Sequence, residues 1–295
     1  RQRLRDSIER MDRFWMRVSK TAKPWPAAAL IVFATLLMVF GAMRGSEIKI
    51  GDLHQGVPEL RPTSRYNLDS QAITEHFSIG VDMINVIAET VADGCIDYNA
   101  MENIDNFSWQ LTNTKGVQSV IALPRIAKVI NSGWSEGALK WRVLPRNRQV
   151  LVEAVQYIPT SSGLLNPDCS VMPVMIFTTD HKAETISHIV DTIKQYQQEN
   201  GKDQVRFRLA TGNVGVMAAT NEEVSAAQFP ILIYVFTAII ILCLLTFRSL
   251  KATLAITLPL GLVSLLAYAL MTQLEIGLKV STLPVVALGV GVGVD

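Results

Sequence analysis

The sequence predicts an α-helical membrane protein that carries an α+β domain outside the cytoplasm. Long stretches without charge predict the membrane helices, basic residues gather on one side of them, and the segment between the first two stretches has a strand–helix–strand order twice. Of the 295 residues 18% are charged, against roughly 25% in a soluble protein. The apolar content excludes a disordered or collagen-like chain. The net charge of +1 disfavours a nucleic-acid binder.

Four apolar stretches define the predicted membrane helices. Residues 24–43, 229–247 and 252–274 contain no charge over 20, 19 and 23 positions, and a helix needs about 20 apolar residues to cross a bilayer. Residues 280–295 are uncharged up to Asp295 and predict the start of a truncated fourth span, so the chain is expected to be a piece of a longer protein. The first stretch exceeds the apolar core of a signal peptide, which favours a retained anchor over a cleaved one.

Lysine and arginine set the predicted orientation. Residues 1–23 hold eight of them, which places this basic amphipathic segment in the cytoplasm and the domain at 44–228 outside. Residues 45–228 carry 21 acidic and 15 basic side chains, a net charge of −6. Apolar residues recur at helical spacing within 1–20. This pattern fits a helix on the membrane surface and equally an amphipathic helix packed on another part of the protein.

The predicted outer domain contains two strand–helix–strand units. A helix at Asn67–His76 comes first, after an irregular start. The units then follow in order, separated by a less regular insertion at 124–168: strand Val81–Glu89, helix Tyr98–Thr112, strand Val117–Ala122, strand Val171–Thr178, helix Ala183–Asn200 and strand Val205–Ala210. This order predicts a split, ferredoxin-like sheet. Pro173 indicates an edge position or a bulge in its strand.

Cysteines and histidines are few. Cys95 and Cys169 both fall in the outer domain, where an oxidising compartment favours a disulfide over two free thiols, whereas Cys243 lies within a span and is expected to act as a small apolar residue. His181, Glu184 and His188 share one predicted helix face and would fit a metal site, but a solvated helix face is the favoured interpretation. The sequence has no HExxH, CxxC or P-loop motif, so no metal site and no enzymatic activity are predicted.

The last apolar stretch holds the residue to which we assign chemistry. Gly289, Gly291 and Gly293 alternate with valine and would let another helix approach closely. Asp295 lies about 20 Å beyond Leu283 if the helix continues, within the hydrocarbon zone. An ionisable group there costs at least ~2.5 kcal/mol and typically marks an ion or proton path. Asp295 is therefore the predicted proton-relay residue. The alternative is that the helix ends early and Asp295 lies at the interface.

Several segments together resemble a known superfamily. They are GDLHQGVPELRPTSRYNLDS after the first span, ALPRIAKVINSGW with LKWRVLPRN, NPDCSVMPVMIFTTDHKAET and the closing GVGVGVD. In this combination the chain resembles the resistance–nodulation–division (RND) superfamily, specifically its MMPL-like branch of exporters for lipids and hydrophobic compounds. The resemblance implies a multi-pass protein of the bacterial inner membrane with a periplasmic porter domain, driven by the proton gradient through Asp295 and without another cofactor.

The resemblance also implies partners and alternatives. The chain would be part of the second half of a transporter, with the other half missing, and a homo-oligomer or an auxiliary periplasmic protein would be a further partner. Phe107, Trp109, Trp134 and Trp141 would contact a lipid or hydrophobic small molecule, unless they are ordinary core aromatics. The same architecture also occurs in sterol-sensing membrane receptors and in proton-driven protein-translocation helpers, which remain the alternative functions.

Overall fold

The computed structural model describes residues 11, 15, 19, 21, 23–57, 60–200 and 205–284. The chain divides into two compact units: a helical unit formed by the residues up to Lys49 and from Ala226 onward, and a sheet unit, Ile50–Ser225. The helices and strands of the described residues follow in chain order: α1 Pro24–Gly45, α2 Arg65–His76, β1 Met83–Glu89, α3 Tyr98–Thr112, β2 Val117–Ile121, α4 Leu123–Gly133, α5 Arg148–Val155, β3 Val171–Thr178, α6 Ala183–Asn200, β4 Arg206–Thr211, α7 Asn213–Phe247 and α8 Leu250–Gln273.

Among the described residues, three helices are long and apolar enough to cross a membrane. Mean hydropathy reaches 2.2 in α1, 2.6 in α7 and 2.1 in α8, yet only 6%, 6% and 22% of these apolar windows is buried within the protein. A helix that is apolar all round lies either in a protein core or in a bilayer. Since the protein does not cover these helices, they indicate a membrane protein. α7 is longer than the predicted span because it begins at Asn213, not Phe229.

In the helical unit, α1 packs against α8 through two glycines. A Cβ added to Gly41 would lie 3.2 Å from the Leu265 Cβ, and one added to Gly45 would lie 3.2 Å from the Tyr268 Cβ. The two glycines are spaced four residues apart and share one helix face, as in the GxxxG pattern that lets membrane helices approach closely. The close approach of α1 to α8 at this face therefore depends on the absence of a side chain at Gly41 and Gly45.

Replacing Gly41 by leucine is expected to lower the thermal unfolding midpoint of the detergent-solubilised protein, because overpacking a tight contact costs roughly 1–3 kcal/mol. Gly261→Leu is the matched control. Gly261 lies in the partner helix α8, and no described heavy atom comes within 4 Å of a Cβ built there. An equal decrease of the thermal unfolding midpoint in G41L and G261L would contradict the assignment of the α1–α8 contact to Gly41.

The sheet unit contains a four-stranded antiparallel sheet in the order β2-β3-β1-β4. Its strands and helices alternate as β1-α3-β2 and β3-α6-β4, which is the predicted order. Pro173 lies in an internal strand, but the register with β2 covers only Met175–Thr178 of β3. Pro173 is paired with Ile87 of β1, so it occupies a local edge where a missing N–H is tolerated.

One face of the sheet forms the core with α3 and α6. Side chains alternate between buried and partly buried along β1 and along β3 up to Ile176, as the period of 2 requires, and the last two residues of β3 are also buried. Phe107 of α3, Tyr196 of α6 and Phe207 of β4 form an aromatic cluster with ring centroids 4.2–5.5 Å apart. The Tyr196 hydroxyl donates to the Asn103 side chain at 2.8 Å. Burial raises the pKa of Tyr196 to about 12.

The insertion between β2 and β3 is more regular than the sequence prediction for 124–168. It contains α4 and α5 as well as short 3₁₀ turns at Leu139–Trp141 and Thr160–Ser162. α4 begins with Pro124 in its first turn, where the absent N–H costs nothing. α5 is capped by the Asn147 side chain, which accepts from the amide of Gln149 at 2.8 Å. Both helix starts therefore have identifiable local causes.

A disulfide joins Cys95 and Cys169, with the sulfurs 2.08 Å apart. It connects the 3₁₀ turn Gly94–Ile96, just before α3, to the loop before β3. Two backbone hydrogen bonds hold the same segments together: Thr90 donates to the Ser170 carbonyl at 2.8 Å, and Asp93 donates to the Asp168 carbonyl at 2.9 Å. The disulfide thus joins the end of the insertion to the start of α3.

Replacing both Cys95 and Cys169 by serine is expected to destabilise the sheet unit by about 4 kcal/mol, because the bond closes a loop across 74 residues. Urea unfolding followed by tryptophan fluorescence measures the change. Cys243→Ala is the control, since Cys243 is a buried free thiol in α7. The wild-type protein should lose the same stability on reduction. No effect of a reductant would contradict the disulfide.

Candidate functional site

The insertion forms an open groove of about 530 Å³ on the sheet unit. Its walls come from α3, α4, α5 and the segment that leads into the first residue of α5, which we call the basic loop (residues 139–148). Asn131 of α4 positions this loop, because its side-chain amide donates to the carbonyls of Trp141 at 2.8 Å and Val143 at 3.2 Å. The volume is typical of small-molecule sites, so the groove is the candidate binding site.

Apolar side chains form part of the groove lining. Trp141, Val143 and Val150 all line it, and they are 48%, 51% and 43% exposed. Exposed large apolar side chains gathered in a concavity favour binding of an apolar ligand surface over solvent. The groove therefore offers a hydrophobic contact surface of the kind a lipid-like compound needs.

Charged side chains also line the groove, and several of them contact one another. Lys128 forms an ion pair with Asp105, with Nζ and Oδ2 2.5 Å apart. The Tyr98 hydroxyl donates to Glu102 Oε1 at 2.7 Å, and the Arg146 guanidinium lies 5.7 Å from the centre of the Tyr98 ring. The neighbouring Tyr98 hydroxyl, together with the nearby Glu102 carboxylate, raises the pKa of Arg146. Both carboxylates of the groove lining are therefore already engaged by cations or donors.

The structure separates the four aromatics predicted to contact a substrate. Trp141 lines the groove. Trp109 and Trp134 are 71% and 66% exposed outside the groove lining, and Trp134 packs beside Tyr157 with ring centroids 6.3 Å apart. Phe107 is a correction: it is fully buried in the aromatic cluster of the core, so it stabilises the fold and has no surface for a substrate.

His181 occupies a second polar cluster, which the sequence pattern did not reveal. It precedes α6, which begins at Ala183, so it does not share a helix face with Glu184 and His188. Its Nδ1–H donates to Asp82 Oδ2 at 2.9 Å and its Nε2–H donates to the Gly56 carbonyl at 2.8 Å. Within the described ranges, no group of three metal-ligating side chains occurs. His181 is thus a structural cross-link.

Both partners of His181 are acceptors, which favours the doubly protonated ring. The hydrogen bond to Asp82 raises the pKa of His181 and outweighs burial, which lowers it. Asp82 also accepts from the side chain of Asn213 at the start of α7, at 3.2 Å. The charged imidazole therefore joins the loop before α2, the start of β1 and the segment before α6, and Asp82 extends the network to α7.

His181→Gln is expected to destabilise the sheet unit more in acid than in base. Because the folded-state pKa is raised, the charged ring contributes its full stability below the ordinary value of about 6.5, and this contribution is lost as pH rises through the folded-state pKa. Urea unfolding at about pH 5.5 and about pH 8.5 tests this. His188→Gln, at an exposed position of α6, is the control. A loss of stability in His181→Gln that is the same at both pH values would contradict the positive charge assigned to His181.

The remaining predicted residues lie outside the described part of the chain. These are the proton-relay candidate Asp295 and the packing glycines Gly289, Gly291 and Gly293. The description ends at Pro284, so the predicted fourth span at 280–295 is covered only at its beginning. The amphipathic pattern of residues 1–20 is likewise almost wholly outside it.

Comparison of the chain with protein-family models and with curated proteins finds no match.

Proposed function

We propose that the chain is part of a proton-driven exporter of a lipid or other hydrophobic compound, of the RND type in its MMPL-like branch. The observation that carries the proposal is Asp295, a carboxyl group at the end of an otherwise uncharged stretch from Val280. Three apolar helices and a sheet unit with a partly apolar groove support it. The protein is then a secondary transporter and not an enzyme, and the proton gradient takes the place of a cofactor.

Protonation of Asp295 would supply the driving step. A carboxylate in hydrocarbon is costly, and burial favours its neutral form. Uptake of a proton from one side and release to the other would alternately favour two helix packings. The outer domain would alternate with them between accepting and releasing its cargo. The groove beside Trp141 is the proposed place of contact with that cargo.

The proposed location is the bacterial inner membrane, with the sheet unit in the periplasm. The basic residues 1–23 favour the cytoplasmic side. The Cys95–Cys169 disulfide supports an oxidising compartment for the sheet unit. Transport would also require the other half of the transporter as a partner.

Asp295→Asn in the full-length transporter is expected to abolish export of the hydrophobic compound, because asparagine cannot exchange a proton. Export and proton release are measured together in reconstituted vesicles with an imposed pH gradient. Glu275→Gln, in the connection after α8, is the matched control and is expected to leave export unchanged. Thermal unfolding of both variants shows whether the fold is retained.

Normal export by Asp295→Asn would overturn the relay assignment. Ligand-dependent partner binding without any gradient-dependent movement of the compound would instead favour the sterol-sensing alternative. Gradient-dependent movement of a polypeptide would favour the translocation helper.

A further inference from the structure

The basic loop is a local excess of positive charge on an acidic domain. Lys140, Arg142, Arg146 and Arg148 fall within nine positions, and the sequence between Glu136 and Glu153 contains no acidic residue. Residues 45–228 as a whole carry a net charge of −6. Charge of this sign, concentrated at the rim of a concavity, raises the local concentration of anions.

The cations of the groove lining differ in their neighbours among the described residues. Lys128 is neutralised by Asp105, and Arg146 stands beside Tyr98 and Glu102. Arg142 also lines the groove, but among the residues that the structure describes its guanidinium has no hydrogen bond or ion pair. A guanidinium presents a planar fork that matches the oxygens of phosphate and carboxylate groups.

The two sequence neighbours of Arg142 are apolar. Trp141 and Val143 flank it in sequence and line the same groove, with Val150 of α5 nearby in the lining. Cationic and apolar surfaces are therefore offered to one ligand within a single concavity. A flat bilayer surface would also reach the exposed loop, including Leu139, which is 78% exposed, so the lipid composition of the membrane must be varied to distinguish it from a single bound molecule.

We propose that the groove binds single molecules of an anionic amphiphile, with its phosphate or carboxylate headgroup on Arg142 and its alkyl chain along Trp141 and Val143. This inference rests on the proposed function, since it names the class of compound that the exporter carries. The headgroup interaction supplies specificity, and the apolar wall supplies contact area.

Photolabelling of the full-length protein in nanodiscs of neutral phosphatidylcholine tests the site. The probe is an alkyl phosphate with a diazirine in its chain, and labelled peptides are identified by mass spectrometry. We expect saturable labelling of the basic loop and α5. Dodecyl phosphate should compete, whereas dodecanol and inorganic phosphate should compete poorly, because each lacks one half of the ligand.

Arg142→Gln is expected to raise the half-saturating probe concentration roughly tenfold, as for loss of a charge-assisted hydrogen bond. Arg142→Lys should lose less, since the charge remains. Arg65→Gln is the control, because Arg65 is highly exposed on α2 and lies outside the groove lining. Trp141→Ala should weaken labelling, with Trp109→Ala as its control.

Unchanged labelling in R142Q, or equal competition by dodecanol, would overturn the headgroup assignment. Labelling that appears only when the nanodiscs contain anionic phosphatidylglycerol would show a bilayer-surface contact and overturn the single-molecule site. The measurement needs no proton gradient. Failure here therefore leaves the Asp295 test intact, and normal export by Asp295→Asn does not alter the labelling result.

Discussion

The fold depends first on the lack of water for backbone hydrogen bonds within hydrocarbon. An uncharged stretch that enters a bilayer must satisfy its amides and carbonyls internally, and a helix does so within one segment. α1, α7 and α8 have this composition and leave their apolar side chains uncovered by protein. The charged residues and the disulfide are consequently confined to segments outside these stretches, and the sheet unit supplies the polar chemistry.

Within the sheet unit, the groove is a consequence of how the insertion is fastened. The disulfide ties the end of the insertion to the turn before α3, while α4 packs on α3 and α5. The basic loop must then span from α4 to α5, and Asn131 holds it through two backbone carbonyls. These side-chain bonds leave Trp141 at the rim and not in the core. A more apolar residue at position 131 would leave the loop carbonyls without this donor.

Local patterns predicted α3, β3 and α6 with the observed bounds, because their burial repeats at 3.6 or 2 residues. α4 carries the same signal in Leu123, Ala127 and Ile130, but proline and glycine at its ends concealed it. The GxxxG pattern of Gly41 and Gly45 is visible in the sequence and indicates a close helix contact, but the sequence does not indicate that α8 is the helix it contacts. The His181 contacts and the groove join residues far apart in sequence, so no local pattern determines them.

The acidic character of the sheet unit does not exclude an anionic ligand. Exposed charges separated by more than a Debye length, about 8 Å at physiological ionic strength, are largely screened from each other. A ligand at Arg142 therefore responds mainly to the basic loop and to the paired residues of the groove wall, not to the net charge of −6 over residues 45–228. At longer range the acidic surface repels anions weakly, so selectivity arises inside the groove, where the headgroup and the chain are recognised together.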